Sequence, residues 1–511
     1  GSIPTGFQRS AIVSVEGELQ LKNKKVRLIQ MSLEEDSCRE ISDIGHKRVY
    51  KTDRLGMPLI ETVTYPDCLT PDELAEAAEH IRFLTRSTGM VRTGIGAARE
   101  DVNVSCEGGK RAEIKGVAHI RWIPELSHNE AFRQYALLSI REKLKKIIPD
   151  PSKWKIDHRE ITEKESHLHL SPVKAALDRS EKVIALNLPG CRGILSHFTQ
   201  PGRLFADEIS DRLKVIACIE KPNMIHSEET GQMNFNNLFP EVAIWLSAAS
   251  DDAQIILWGP AEDIPTALET VDERMRMALE GVPDETRKAF PDGTTMFERV
   301  LPGRDRMYPD TDSQPLPVTT EMLERLGMNL PKDVALRFSQ MKEWGIPEDT
   351  WHYLLSKNLT GIVERIGDEL GFSHREAGIL IGHRFRSLEG RGRVARGFSY
   401  QTLYDLFAFL KDRELLPPVA RLMLPAVVAS PEPDFMSILN ATGYTEATFS
   451  EIKSEIPKLE KEFAAICHNK NRKAAADWIM GQLHMKAIGK IRLAKIKTEV
   501  SDILEISGET R

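Results

Sequence analysis

The spacing of apolar residues changes along this chain, from a period of two near its beginning to helical spacing in its second half. Ala11, Val13 and Val15 alternate with less apolar neighbours, and the alternation continues over residues 19–28. Successive side chains of a β-strand point to opposite faces, so this pattern predicts an antiparallel meander. From Met322 onwards the apolar residues recur at the spacing of amphipathic helices. The two patterns together predict several domains of different type.

A helix start and a mixed region are predicted between these two parts. Thr70 can cap a helix, Pro71 fits its first position, and Glu73 can return a hydrogen bond to the cap. Farther along, strand-like segments stand near helical stretches with polar faces. The region 126–289 is therefore predicted to be an α+β insertion.

The length of the chain sets the number of domains. It has 511 residues, which at about 150 residues per domain predicts roughly three or four domains. A proline-rich linker, Pro309–Pro317, precedes the helical half. The predicted fold class is α+β and multidomain, with an antiparallel-sheet region and its insertion followed by a helical domain and a helical tail.

The composition argues against several classes of protein. Lys and Arg number 69 against 76 Asp and Glu, a formal charge of −7, so the whole surface does not bind nucleic acid, although a local basic patch stays possible. No apolar run of about 18 residues and no leader segment is present, which predicts a cytoplasmic protein. The six cysteines lack C-x-x-C spacing and are predicted to be free thiols. Motifs of P-loop enzymes, α/β hydrolases and zincins are absent.

Four acidic residues stand in or directly after apolar, strand-like segments: Glu34, Glu35, Glu61 and Asp101. An ionised carboxylate removed from water costs several kcal/mol unless a cation compensates it. Carboxylates without nearby His or Cys suit a hard ion such as Mg²⁺, which prefers oxygen ligands. Alternatively, each acid is solvated or pairs with a basic residue such as Arg54 or Lys115. The spacing alone leaves both interpretations open.

Two glycines and two basic clusters are further candidates for phosphate binding. Gly94 and Gly96 would let the backbone approach a phosphate, but such a pair more often forms a turn. Residues 383–397 contain five arginines, and residues 468–497 contain eight Lys or Arg with one acid. Basic runs of this kind form either a solvated helix face or a contact with a phosphate backbone.

Five stretches of the sequence resemble one family of tRNA-dependent enzymes. They are Gly1–Arg9, Leu33–Asp36, Asp53–Glu61, Asp101–Ser105 and Glu113–Gly116. They resemble the family of the archaeal glutamyl-tRNA(Gln) amidotransferase E subunit, which is related to the bacterial B subunit. The resemblance extends through Asp292–Thr295 and Arg306–Asp312 to Ala475–Gly481. It therefore covers nearly the whole chain.

The resemblance implies a division into domains. A catalytic cradle domain would comprise residues 1–125 and a returning segment, 290–318. The insertion, 126–289, is similar to a module of bacterial-type aspartyl-tRNA synthetases, which points to the E rather than the B subunit. A helical domain would follow at 319–400 and a tRNA-binding tail at 401–511.

The resemblance also implies a reaction and a partner. The family uses ATP and Mg²⁺ to phosphorylate the side-chain carboxylate of glutamate on tRNA(Gln), and ammonia then displaces phosphate to give glutaminyl-tRNA. The ammonia comes from an asparaginase-like D subunit, with which this chain would form a heterotetramer. Phosphorylation makes chemical sense because it turns a poor leaving group into a good one.

The resemblance assigns roles to particular residues. Glu34, Glu35, Glu61 and Asp101 match the metal-binding acids of the family, with Glu35 and Glu61 the first candidates. Lys115 would stabilise phosphate charge or serve as a structural ion-pair partner. Gly94 and Gly96 are the candidates for nucleotide contact. In the tail the candidate tRNA contacts are Arg472, Lys473, Lys486 and Lys490.

The chain departs from the family at two places. Family members carry a segment before the stretch at Gly1–Arg9, including a Glu and a His that help to complete the metal site, and we expect that the activity of the chain depends on it. Residues 483–490 also differ from the family's tail.

Two other functions remain as alternatives. The chain would be a noncatalytic tRNA-binding scaffold if the acids only formed structural ion pairs. A relative of aspartyl-tRNA synthetase is the third interpretation, although the resemblance to that class is confined to the insertion.

Overall fold

The computed structural model describes residues 10–36, 38–94, 96–162, 171–229, 238–301, 314–315, 317–328, 330–467 and 471–504. The chain divides into two compact units, of which unit 1 comprises residues 1–81 and 92–318, and unit 2 comprises residues 82–91 and 319–511. The predicted returning segment also ends at residue 318, while the finer division into five domains stays a prediction. Most of the predicted linker, the stretch Gly1–Arg9 and the stretch Arg306–Asp312 lie outside the described residues.

Unit 1 begins with the predicted antiparallel meander. Strands β1 (Ser10–Gln20) and β2 (Lys25–Glu35) form a hairpin. A second hairpin follows, made of β3 (Arg39–Ile44) and β4 (Lys47–Lys51). Strand β5 (Pro58–Thr64) then pairs antiparallel with β2, which gives a three-stranded sheet in the order β1-β2-β5. The alternation of apolar residues therefore predicted this part of the fold correctly.

Helix α1 (Pro71–Ser87) begins where the sequence predicted. The hydroxyl of Thr70 accepts a hydrogen bond from the Glu73 amide over 3.2 Å. The Glu73 carboxylate accepts from the Leu69 amide over 2.7 Å, one residue before the cap. Two donors at the helix start are satisfied in this way.

The rest of unit 1 contains a second and a third larger sheet. Its elements are β6 (Glu100–Val104), β7 (Ala112–Val117), a 3₁₀ turn (Ile120–Trp122), α2 (Ile123–Ile147), β8 (Asp157–Ile161), α3 (Ser171–Asp178), β9 (Lys182–Leu188), β10 (Phe198–Gln200), β11 (Arg203–Leu204), α4 (Phe205–Val215), β12 (Met224–His226), α5 (Leu238–Trp245), β13 (Ala253–Gly259), α6 (Ile264–Glu280), β14 (Glu285–Ala289) and β15 (Thr295–Val300). The two sheets have the orders β15-β14-β7-β6 and β12-β13-β9-β8.

Strand β9 lies in a layered arrangement of helices and a sheet within the region predicted to be the insertion. Ile184 and Leu186 pack in a core with residues of α2, α4 and α6, whereas Val183 and Ala185 pack in a second core with residues of α3 and α5. Both faces of the sheet are thus buried, which explains the continuous apolar run. The sheet that contains β14 differs from the prediction in one respect, because β14 pairs parallel with β7. The long connection through the insertion allows this parallel pairing.

Unit 2 is helical in its described residues, as predicted for the second half of the chain. Its helices are α7 (Thr320–Gly327), α8 (Val334–Glu343), α9 (Glu348–Ser356), α10 (Thr360–Asp368), α11 (His374–Ile379), a π-helical segment (Leu380–Phe385), α12 (Arg386–Gly390), α13 (Gln401–Asp412), α14 (Pro418–Val427), α15 (Phe435–Ala441), α16 (Phe449–Ile466), α17 (Arg472–Ala487) and α18 (Leu493–Ile503). Helices α16, α17 and α18 pack around a separate core.

The cysteines and the helices bear on two expectations from the composition. All six cysteines are free thiols. Among the described helices, none combines the length and the apolar character that crossing a membrane requires.

Candidate functional site

Glu34 and Glu61 lie side by side on the sheet β1-β2-β5. Glu61 is directly opposite Ser32 in the β2–β5 pairing, and Glu34 is two residues beyond Ser32, so alternation places all three on one face. Ser32 is 1% exposed, and its hydroxyl donates to Glu61 Oε2 over 3.4 Å. Ser10, opposite Glu34 in β1, donates to Glu34 Oε1 over 3.1 Å. A serine hydroxyl therefore orients each of the two carboxylates.

The proximity of these acids changes the ionisation of Glu61. Its pKa is raised from 4.5 to about 7. Loss of water around the carboxylate is the largest cause, followed by the charge of Glu34, a hydrogen bond with Glu34 and the charge of Asp101, while the Ser32 hydroxyl opposes the change. The residue is nevertheless exposed. The carboxyl group of Glu61 therefore holds its proton more tightly than an ordinary glutamate does, and it remains open to a ligand.

Asp101 reaches its position through an irregularity between β6 and β7. The register shifts between Glu100 and Val102, and Gly116 on the facing strand has a φ of +69°, which favours glycine. The Asp101 carboxylate accepts hydrogen bonds from Lys115 Nζ over 2.9 Å and from the Gly116 amide over 3.1 Å. A bulge of this kind can redirect a side chain towards a site.

Lys115 lies between two carboxylates. Its Nζ is 2.9 Å from Asp101 Oδ2 and 2.7 Å from Glu113 Oε1. Partial burial lowers the pKa of Lys115, but the charge of Asp101 and the hydrogen bonds to Glu113 and Asp101 outweigh this effect, and the pKa is raised. Lys115 therefore forms ion pairs with both Asp101 and Glu113, and its role in phosphate binding stays a prediction. Arg54, the other suggested partner, contacts Asp36 at 3.2 Å instead.

The four predicted metal ligands do not all converge. Glu35 follows Glu34 on the same strand, so alternation directs it to the opposite face, and Asp101 is engaged by Lys115. Within the ranges that the structure describes, no three His, Cys, Asp or Glu side chains lie close enough to hold a metal ion. The Glu34–Glu61 pair still fits Mg²⁺, which often takes only one or two carboxylates and completes its shell with waters and phosphate oxygens.

Gly94 and Gly96 form an exposed turn. Their φ angles are +118° and +76°, and the Ala97 amide donates to the Gly94 carbonyl over 3.3 Å. A Cβ atom added at either glycine would meet nothing within 4 Å. The two glycines therefore form a turn. The space beside this turn is open, and contact with a nucleotide stays a prediction.

A comparison with known protein families identifies the part of the chain that carries these acids. The profile described as the GatB/GatE catalytic domain matches residues 1–324, more than half of the 511 residues. The chain belongs to the GatB/GatE family. The Glu34–Glu61 pair, Asp101 and Lys115 all lie within the matched catalytic region.

Individual relatives cover different shares of this GatB/GatE chain, and each is named as the E subunit of glutamyl-tRNA(Gln) amidotransferase. The protein of Sulfurisphaera tokodaii is 35% identical over 369 residues, which are 72% of this chain and 58% of that protein. The protein of Methanopyrus kandleri is 33% identical over 441 residues, 85% of this chain and 68% of that protein. The protein of Methanocaldococcus jannaschii is 31% identical over 500 residues, 96% of this chain and 78% of that protein.

The first basic cluster of the GatB/GatE chain is on the surface of unit 2. Five arginines are exposed there: Arg384, Arg386, Arg391, Arg393 and Arg396. Arg386 donates to the Asp349 carbonyl over 3.2 Å. A groove of about 530 Å³ beside the π-helical segment is lined in part by His383, Arg384 and Arg421. Irregular helical turns of this type are frequent at functional sites.

The candidate residues of the tail have different surroundings. Lys486 Nζ contacts both carboxylate oxygens of Glu455 at 2.8 Å. Lys490 donates to the Arg413 carbonyl over 2.9 Å. Lys473 is exposed at the start of α17, next to Arg472, which is also exposed. Intramolecular contacts therefore already use the charges of Lys486 and Lys490.

Sequence reasoning missed two residues that support this GatB/GatE site. Ser32 stands two residues before Glu34, and Glu113 stands two residues before Lys115. In a strand, residues two apart share a face. The alternation rule therefore could have found both residues once the strands had been predicted.

Proposed function

We propose that this chain belongs to an ATP-dependent amidotransferase that converts Glu-tRNA(Gln) to Gln-tRNA(Gln). ATP phosphorylates the glutamyl side-chain carboxylate, and ammonia then displaces phosphate to form the amide, which makes the enzyme a carbon–nitrogen ligase. The ammonia is supplied by an asparaginase-like D subunit in a heterotetramer. The names of the relatives support the substrate.

The observation that carries this proposal is the placement of Glu61 beside Glu34 on one face of a sheet within the matched catalytic domain, where the pKa of Glu61 is raised. A structural ion pair would lower the pKa of a carboxyl group, because a neighbouring cation stabilises its charged form. The pKa of Glu61 moves in the opposite direction, so its neighbours among the described residues do not compensate its charge. Groups whose ionisation is perturbed by loss of water together with a neighbouring charge are typical of functional sites.

Mg²⁺ and ATP are the proposed cofactors. Glu34 and Glu61 would hold the ion through their carboxylates, and the serines Ser32 and Ser10 orient those carboxylates. Bound there, Mg²⁺ neutralises charge on the phosphates. Glu35 and Asp101 would not be needed as direct ligands in this arrangement, because waters and phosphate oxygens would complete the shell.

Lys115 is proposed to stabilise negative charge on the phosphoryl group. Asp101 and Glu113 keep its ammonium protonated and fix its direction. An ammonium on a flexible stem binds phosphate as a point charge. Gly94 and Gly96 are proposed to let nucleotide phosphates approach the backbone nearby.

Binding of the tRNA body is proposed to involve unit 2. Arg384, Arg391, Arg393 and Arg396 are exposed, and no ion pair with an acid is formed by any of the four within the described residues. Free guanidinium groups on a chain of net charge −7 suit a local contact with phosphates. Arg472 and Lys473 are the proposed contacts in the tail.

The test is phosphate release from ATP by the complete protein with its D subunit, in the presence of Mg²⁺ and Glu-tRNA(Gln). Glu61→Gln removes one carboxylate of the pair, and we expect phosphate release to fall by about 100-fold or more if a proposed magnesium ligand is lost. Glutaminyl-tRNA formation should fall in parallel.

Glu18→Gln is a matched control, because Glu18 is an exposed acid on β1 that pairs with Lys25 at 2.6 Å. This variant should keep full activity. Unchanged phosphate release in Glu61→Gln, with tRNA binding intact, would favour the noncatalytic scaffold. Attachment of a free amino acid to tRNA would instead favour the synthetase alternative.

A further inference from the structure

Seven charged side chains meet in the interior of unit 1. They are Arg133, Arg212, Arg274 and Arg287 with Glu130, Glu208 and Glu285, called here the buried arginine cluster, and each is at most 2% exposed. The residues come from α2, α4, α6 and β14. Groups of this kind are almost never buried unless they are paired.

Glu285 is the most completely paired member of the buried arginine cluster. Its carboxylate accepts from Arg133, from Arg212 Nη2 over 2.5 Å and from Arg287 Nη1 over 2.5 Å. Burial opposes ionisation of Glu285, but the three guanidinium groups outweigh burial and hold its pKa far below the usual range. Glu285 is therefore ionised and compensates part of the positive charge.

The positive charge of the cluster exceeds its negative charge. Four guanidinium groups face three carboxylates, and burial raises the pKa of Glu130 despite the charges of Arg133 and Arg287. Asp211 lies close by, but it already pairs with Arg203 and Lys221. Within the described residues, at least one positive charge of the cluster is thus left without a compensating group.

Arg274 is the member whose hydrogen bonds are not satisfied. Its guanidinium stacks on the Phe205 ring, with Cζ 4.6 Å from the ring centroid. The closest acidic atom is Glu208 Oε2, 3.5 Å from Nη2, and within the described residues none of the three guanidinium nitrogens of Arg274 makes a hydrogen bond. Buried Arg133 Nη1 and Arg212 Nε also lack acceptors there.

We propose that the buried arginine cluster binds a compact monovalent anion, such as chloride, against the in-plane N–H groups of Arg274. The ring of Phe205 covers a face of the guanidinium, so the missing acceptor belongs at its edge. A water molecule would satisfy N–H groups but would leave the positive charge uncompensated. Large anions and substrate carboxylates do not reach side chains that are 0–2% exposed.

The first test measures thermal unfolding of the complete protein in sodium chloride and in sodium gluconate at equal ionic strength. Gluconate is too large for the site. A ligand at about 100 times its dissociation constant shifts the unfolding equilibrium by about 100-fold, so we expect a melting temperature several degrees higher in chloride. Bromide should replace chloride.

Two variants separate specific binding from a general salt effect. Arg274→Met removes the donors and the surplus charge, and should abolish the difference between chloride and gluconate. Arg276→Met is the matched control, because Arg276 lies on the same helix but pairs with Asp272 at 2.6 Å and is 40% exposed; it should keep the difference. Equal melting temperatures in both salts, or the same difference in Arg274→Met, would overturn the proposal.

A crystallographic measurement decides the matter even if Arg274→Met fails to fold. Crystals of the original protein grown in sodium bromide should show an anomalous difference peak within hydrogen-bonding distance of Arg274. Density for water alone, without an anomalous signal at Arg274, would refute the anion site.

Discussion

Replacing Glu61 by glutamine should change how the stability of the chain depends on pH. The pKa of Glu61 is about 7 in the folded chain against an ordinary value of 4.5. The folded state therefore holds this proton more tightly than the unfolded state does. The stability that results is fully present below about pH 4.5 and is lost as the pH rises through about 7. Glutamine does not ionise, so the free energy of unfolding of Glu61→Gln should not fall in this way as the pH rises.

The raised pKa of Glu61 sets the size of the effect. A change from 4.5 to about 7 corresponds to about 3 kcal/mol at about 1.36 kcal/mol per pKa unit. Glu61 is exposed, so water screens the repulsion, and we expect about 1 kcal/mol in the free energy of unfolding. Relative to the original chain, the variant should gain this amount between about pH 5 and about pH 8.5.

Urea denaturation of both proteins at the two pH values, without divalent cations, measures this gain. Glu18→Gln serves again as the control and should show no pH-dependent difference. Adding Mg²⁺ at the higher pH should stabilise the original chain more than Glu61→Gln, because only the original chain offers two carboxylates. A difference between variant and original chain that stays constant with pH would refute the repulsion between Glu34 and Glu61.

Two further changes test the buried arginine cluster and the basic surface of unit 2. Glu285→Gln removes the carboxylate shared by three buried guanidinium groups and should lower the free energy of unfolding by about 3–5 kcal/mol in urea denaturation; a loss below about 1 kcal/mol would contradict its compensating role. Replacing Arg391, Arg393 and Arg396 by glutamine should reduce the log–log salt slope of tRNA binding by about 0.7–0.9 for each lost contact. In the same filter-binding assay, Lys486→Gln should leave the slope unchanged.

The strands of the candidate site were predictable because their signal is local. Alternating residues predicted the hairpin of β1 and β2, and acids inside apolar segments predicted that Glu34 and Glu61 need a partner. The partner of each acid was not predictable, since it depends on the register between strands. Only the pairing of Ser32 with Glu61 shows which face Glu34 shares and why Glu35 turns away.

The buried arginine cluster could not be predicted from the sequence. Glu130 and Arg133 are three residues apart on a helix, which in a sequence is typical of a solvated ion pair. Their burial results from the packing of α2 with α4, α6 and β14, which the local sequence does not indicate. The contacts of the tail could not be predicted either, because the sequence of a basic run does not reveal that Lys486 contacts Glu455.

The parallel pairing of β14 with β7 has a consequence for how the protein is made. The two strands are separated by residues 118–284, so β7 leaves the ribosome long before its neighbour exists. Until then one edge of β7 has unpaired amide and carbonyl groups, the kind of edge on which nascent chains aggregate. Pairing across so long a loop is also slow. The sheet that carries Lys115 should thus be completed late in the synthesis of unit 1, and chaperones that shield strand edges should matter most before that stage.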